Sequence, residues 1–171
     1  RVDPFKFYWM PWGDDIHSMP VAELHHLTRD DVENMLGVEG YDEDAVRSIL
    51  SNFGSGGFSW LDHNDDMMEA ATGQDFDEAN TDLVAALQLW DTIPGDVLIE
   101  WGLDEGEVED PHKSYPCEVW MIDNIVVRAV LNYDPLGRKP YYLTSFEKVP
   151  GRIDGNGVAD LCMDAQNMCN A

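Results

Sequence analysis

Two runs rich in β-branched and apolar residues, Cys117–Ile122 and Ile125–Leu131, are separated by only Asp123-Asn124. Two residues leave no room for a crossover, so the runs must pair antiparallel as a hairpin, and the sheet holding them is antiparallel or mixed. The type I′ turn expected there needs positive φ at both central residues. Asp and Asn tolerate that conformation, although Asn124 stands where Gly is preferred. After a turn-rich connection at 132–140, the aromatic and β-branched residues of Tyr141–Val149 predict a further strand of the same sheet. Pro150-Gly151 then turns the chain. Apolar residues at 158, 161, 162, 165, 168 and 169 mark an amphipathic helix with no stop signal before Ala171. Cys162 and Cys169 share the apolar face of that helix, where Cys is expected to pack as a small buried hydrophobe.

Earlier in the chain, Val2–Trp12 is broken by Pro4 and Pro11 and fits an extended segment or edge strand. Val21–Leu27 reads as a strand. Thr28 and Asp31 have capping-box spacing, which predicts a helix over 29–36 ended by Gly37. Asp42 caps a second helix whose apolar positions are Ala45, Val46, Ile49, Leu50 and Phe53, with Gly54 closing it. Residues 54–110 are taken as an acidic, irregular insertion, with Gly54, Gly56, Gly57 and Gly73 in a loop. Within it Leu83–Trp90 is apolar enough for a strand, and 97–102 for a helical turn.

The 171 residues carry 34 acids against 10 Lys and Arg, a formal charge of −24. Such a surface excludes a general electrostatic grip on nucleic acid or on an anionic membrane face. With 44% hydrophobic residues and six Trp, it is also too apolar for a disordered acidic tail. The charge is positional: residues 1–110 hold 27 acids and 4 bases, whereas 111–171 hold 7 acids and 6 bases. No stretch approaches the roughly 20 apolar residues of a membrane span. Three cysteines without a C-x-x-C pair point to a reducing compartment rather than a disulfide framework. Arg1 at the start and the helical pattern running to the end read as a piece cut from a longer chain.

Tests for chemistry return little. Asp62-His63-Asn64-Asp65-Asp66 begins like a calcium loop, but Met67 and Gly73 occupy the places of its essential Gly and Glu. Asp154-Gly155-Asn156-Gly157 fails similarly at Val158. His25 and His26 are adjacent in a strand and so point to opposite faces, which prevents both from binding one metal. His17, His63 and His112 lie in loops without ligands at recognisable spacing. Gly151, Gly155 and Gly157 complete no phosphate-binding pattern, since Asp160 replaces the last Gly and no Lys follows. Their structural role is a tight strand-to-helix corner with Pro150. No G-x-S-x-G is present, and neither Cys117 nor Cys162 has a local His partner signal. No cofactor and no catalytic residue is therefore assigned.

Over its second part the chain is more specific. Tyr115–Asn132, then Asp134-Pro-Leu-Gly-Arg-Lys-Pro-Tyr-Tyr142, then Val149-Pro-Gly-Arg-Ile-Asp-Gly-Asn-Gly157, and finally Asp164-Ala-Gln-Asn-Met-Cys-Asn-Ala171 resemble the portal proteins of tailed bacteriophages. Val2-Asp3-Pro4 and the strand leading into Leu27-Thr28-Arg29-Asp30-Asp31-Val32 look like the amino-terminal side of the same outer domain. Asp154 departs from the bulkier residues common there.

The resemblance implies a non-enzymatic subunit of a ring, a dodecamer in most relatives, at one vertex of the virion capsid and assembled in the host cytoplasm. The terminase motor pumps double-stranded DNA through such a ring. The major capsid protein, a tail adaptor and further copies of the chain are the other implied partners, with no membrane involved. The chain would be the wing, and the helix from Val158 would lead to the channel-lining stem. Arg128, Arg138, Lys139, Lys148 and Arg152 are then candidates for subunit or transient DNA contact, or simply surface charge. An acidic adaptor module, with an exposed apolar patch at Phe5, Phe7, Tyr8, Trp9 and Trp12, and an enzyme using buried carboxylates are the alternatives. The expected fold is α+β: about five strands, near 21, 83, 117, 125 and 141, flanked by the helix pair and a long C-terminal helix. One wing-like domain is expected, divided into 1–53, 54–110, 111–157 and 158–171.

Overall fold

The computed structural model describes residues 2–10, 13, 15–53, 83–104 and 106–170. The fold is α+β. Five strands, β1 (Phe7–Trp9), β2 (Val21–Thr28), β3 (Leu83–Pro94), β4 (Ser114–Ile122) and β5 (Ile125–Leu131), form one sheet in sequence order, every neighbour antiparallel. The calcium-like loop at 62–66, Gly54 and the loop glycines at 56, 57 and 73 lie outside the described residues.

Local chemistry explains the best-defined corners. Ile122 pairs with Ile125 across the expected turn, and Asp123 and Asn124 both take positive φ, 50° and 58°. Thr28 and Asp31 close a full capping box around α1 (Arg29–Glu33). This helix is shorter than the predicted 29–36. Beyond Glu33 the backbone tightens, with Met35 donating to Val32 and Leu36 to Glu33 three residues back. Asp42 accepts from the amides of Asp44 and Ala45 at the start of α2 (Glu43–Ser51). The helix α3 (Gly95–Glu100) has no side-chain cap. Instead the carbonyls of Lys113 and Pro111 take its first two amides, at 2.8 and 2.9 Å. Any Cβ at Gly95 would press on Val108 and on the backbone at Asp110 and Pro111, so this close approach requires glycine.

Both faces of the sheet are covered. On one, Val32, Val46 and Ile49 of the helix pair pack against Ala86, Ile122 and Val127. Further along the same face Phe7 and Val21 meet Ile16, Met19 and Tyr141. On the other face Leu98 of α3, Leu103 and Val108 pack against Ile93, Cys117 and Val119. Fully burying a side chain such as Leu98 or Ile122 is worth about 1.5–3 kcal/mol each. Residues 83–100, placed by the sequence inside an irregular insertion, thus supply the central strand and the helix that covers one face.

Two expectations are corrected. Tyr141–Val149 is not a strand; the fifth strand is Phe7–Trp9, the predicted edge segment. β propensity reports fit to a half-buried pleated surface, and here Tyr141 meets that need by packing with Phe7 and Val21 in a core cluster rather than by pairing in the ladder. β1 occupies one edge. At the other, Tyr41 bridges to Arg128 and the Asp42 amide donates to Val127 at 2.8 Å. Only Glu147 keeps a ladder-like contact, with Asn156. The final helix α4 (Val158–Asn170) spans 13 residues, and Cys162 and Cys169 are exposed rather than packed. The apolar periodicity there is real, but among the described residues no other element covers it: Val158, Leu161, Met163 and Met168 are exposed as well.

Candidate functional site

The five candidate bases do not gather into one patch. Arg128 lies in β5, its Nη1 3.6 Å from Glu118 and its guanidinium 5.2 Å from the centre of the Tyr41 ring. Its buried Nε has no acceptor among the described residues. Arg138 pairs with Asp134 at 3.1 Å, and that carboxylate is held below its usual range by the Leu136 amide first and Arg138 second. Arg152 pairs with Asp154, which Arg152 likewise keeps ionised to lower pH. Lys148 is exposed. Lys139 is buried, its Nζ donating to the carbonyls of Ile16 and Met19, while its backbone amide donates to His17 Nδ1 at 3.2 Å. Burial pushes this ammonium below its ordinary pKa, and Asp91 and Asp15 oppose the shift. Lys139 therefore staples residues 138–141 to the 15–19 turn and is not presented to a partner.

A polar stripe crosses the middle of the sheet, between the apolar cluster under the helix pair and the one around Tyr141. Phe7, Glu23, Gln88, Trp120 and Arg128 stand in one row of the register. The Gln88 amide oxygen faces His25 Nε2 at 3.1 Å, and since that oxygen can only accept, Nε2 carries the proton. Gln88 donates to Glu118 at 2.7 Å, and Trp120 Nε1 donates to the same oxygen at 2.8 Å. Tyr141 donates to Glu23 at 2.9 Å. Burial, then the hydrogen bond to Glu23, raises the Tyr141 phenol well above its ordinary value. The His25 ring stacks on Trp120, 4.8 Å between centroids. Gln88 thus joins His25 of β2 to Glu118 of β4, and with Trp120 and Tyr141 these side chains form one connected polar network across the sheet. His26, on the opposite face as its position requires, lies 3.4 Å from Lys6 Nζ. Among the described residues no three His, Cys, Asp or Glu side chains come together as a metal would need, and no helix is long and apolar enough to cross a membrane.

The Pro150, Gly151, Gly155 and Gly157 corner is tightly built. Gly151 has φ +79°, and a Cβ at Gly155 would run into the Glu147 carbonyl and Ser145. The Asn156 amide donates to that same carbonyl at 3.0 Å. The corner thereby leads the chain into α4. Of the amino-terminal aromatic group, Phe7 is buried, Trp9 half-buried and Tyr8 exposed, while Trp12 and the side chain of Phe5 lie outside what is described.

Among the described residues, most of the large exposed apolar side chains lie in the last third of the chain. Tyr142 is 90% and Phe146 76% exposed, and Leu136 and Leu143 are exposed too. A second feature absent from the sequence reading is a cleft of about 600 Å³ beside β5, between residues 39–42 and 101–107. Tyr41, Trp101 and Leu103 contribute its apolar wall, and its charged groups are the acids Glu39, Asp42, Asp104 and Glu107 and the base Arg128. Tyr133 donates to Glu107 at 3.1 Å across one side. Only the sheet register and the helix connections bring these segments together, so no local spacing could have signalled the cleft. No model of a known protein family and no curated protein matches this chain.

Proposed function

We propose that the chain is the wing region of a phage portal subunit, a structural and non-enzymatic part of a ring through which double-stranded DNA passes. The observation that carries this reading is the ordered series of motifs over 115–171, from the hairpin through the Pro-Gly corner to the terminal helix. Two features of the chain support it. The carboxylates outnumber the bases more than threefold, and Arg29, Arg47, Arg128, Arg138 and Arg152 are each paired with a carboxylate of their own chain. Such a surface offers DNA few phosphate contacts, and each contact avoided removes a counterion-release contribution that would hold the DNA in place. The apolar side of α4 is exposed at Val158, Leu161 and Met168, as expected of a helix that continues into a stem packed by neighbouring subunits.

On this reading α4 lengthens in the full protein, the subunit resides at the portal vertex of the virion, and capsid protein, terminase and a tail adaptor contact other parts of the ring. The test is the mass and shape of the full-length parent in solution, by light scattering and negative-stain imaging. The expected result is a closed ring with a hole wide enough for duplex DNA. A stable monomer at high concentration, with no ring when capsid protein is co-expressed, overturns the proposal in favour of an acidic adaptor module.

A further inference from the structure

Every described side chain of α4 is exposed, Cys162 and Cys169 among them. Little in its sequence holds the helix either. It has no basic residue and so no ion pair from turn to turn, and Asp160, Asp164, Asn167, Asn170 and the two cysteines are weak helix formers. A helix of this length without packing is marginal in water. The two thiols sit seven residues apart on one face, and the rise of an α-helix then separates their Cα atoms by about 10.5 Å. A disulfide joins Cα atoms no more than about 7 Å apart, so this pair cannot bridge while the residues between them stay helical. Once those residues leave the helix, the same short stretch closes a small loop at low entropic cost.

We infer that Cys162 and Cys169 form a reversible intrachain disulfide that holds α4 unwound between them, so that the redox state of this pair decides whether those two turns of helix exist. The oxidant is a low-molecular-weight disulfide such as glutathione disulfide. One cysteine thiolate attacks it, forms a mixed disulfide and releases one glutathione thiolate. The second cysteine thiolate attacks the protein sulfur of that mixed disulfide and releases the other glutathione. The chain gives up two electrons and two thiol protons, and glutathione disulfide takes up both to become two glutathione thiols. Pairing within the chain is favoured on three grounds. Cys117 is fully buried, which leaves Cys162 and Cys169 as the accessible thiols. Copies carrying −24 repel one another, whereas closure within one chain brings no second copy near. The short connection also presents each thiol to the other at an effective concentration in the millimolar range. In a reducing compartment such a bridge forms transiently, as a sensor rather than a permanent staple. The inference concerns the unassembled chain and does not rest on the portal reading.

The experiment incubates the full chain with glutathione disulfide at neutral pH and reads it by intact mass, peptide mapping and NMR. The expected product is a monomer two hydrogens lighter, with Cys162 and Cys169 in one linked peptide. The Cα chemical shifts of 163–168 should move from helical to coil values, and dithiothreitol should reverse every change. Cys169→Ser should stop at a mixed glutathione adduct on Cys162. Asn167→Ala raises helix propensity at an exposed position without touching either thiol, and should lower the equilibrium constant for the bridge about threefold in glutathione buffers of fixed ratio. A covalent dimer, a chain that keeps two glutathiones or two free thiols at equilibrium, or a bridged chain whose 163–168 shifts remain helical overturns the inference. So does an equilibrium that Asn167→Ala leaves unchanged. None of these readouts depends on whether the chain assembles into a ring.

Discussion

Cys117 shows how much one side chain depends on its surroundings. It is fully buried between α3 and β4, and desolvation first, then the Asp91 carboxylate, pushes its thiol up to about 12. Iodoacetamide at neutral pH should therefore modify Cys162 and Cys169 in the folded chain and reach Cys117 only after denaturation, as read by peptide mass spectrometry. The same shift sets an alkaline limit. An unfolded thiol ionises near 9.0, so the stability Cys117 contributes is whole below that pH and is lost as pH rises towards the folded value of about 12. Tyr141 acts with the same sign, beginning near its ordinary 10.0. Lys139 acts in the opposite sense, because its buried ammonium is relieved as it deprotonates below 10.5. Urea midpoints measured across this range should fall for the wild type and fall less for Cys117→Ala. At the acid end, Asp31 is held ionised by the Thr28 hydroxyl and amide, so its contribution is present above its ordinary 3.8 and lost as pH falls through its lowered folded value. Thr28→Ala should cost about 1 kcal/mol in a denaturant titration. These caps were legible in the sequence because both partners lie within one helical turn. The pairing of Arg128 with Glu118 was not, because it exists only once the register of β4 and β5 is set.

Among the elements, the β4–β5 hairpin is the firmest link between sequence and structure. Its turn holds two non-glycine residues at positive φ, a conformation glycine adopts without steric cost. Asn124→Gly should raise stability by about 0.5–1 kcal/mol, visible as a higher urea midpoint with an unchanged slope. A lower midpoint would mean that the Asn124 side chain matters more than its backbone strain. The missing strand at 141–149 has the opposite lesson. Its composition suits a sheet, but composition reports burial as much as pairing, and Tyr141 is buried in the Phe7 and Val21 cluster without joining the ladder. Periodicity likewise found α4 without saying what would cover it. A 13-residue helix with an exposed apolar side has little packing to hold it, so its amides should exchange hydrogen well before those of β3 and β4.

At the scale of the molecule, charge dominates behaviour in solution. A net −24 repels itself across a small domain, and added salt screens that repulsion over a distance of about 10 Å at 0.1 M. Raising sodium chloride to about half molar should increase the melting temperature. A decrease would mean that the exposed pairs, such as Arg47 with Glu43, outweigh the general repulsion. The charge was fully readable from the sequence, whereas the cleft required the fold, since it joins residues set side by side only by the sheet and its connections. The polar stripe has a last consequence. Apolar side chains cover both faces of this sheet, so greasy contacts alone distinguish poorly between neighbouring alignments of its strands. Sliding β3 by one residue against its neighbours would turn the Gln88 amide towards Leu98 and Val119 and set Leu87 or Leu89 beside Glu118 and His25. Gln88 and its partners make that frameshift costly, so the meander has a single reading frame although most of its letters are interchangeable.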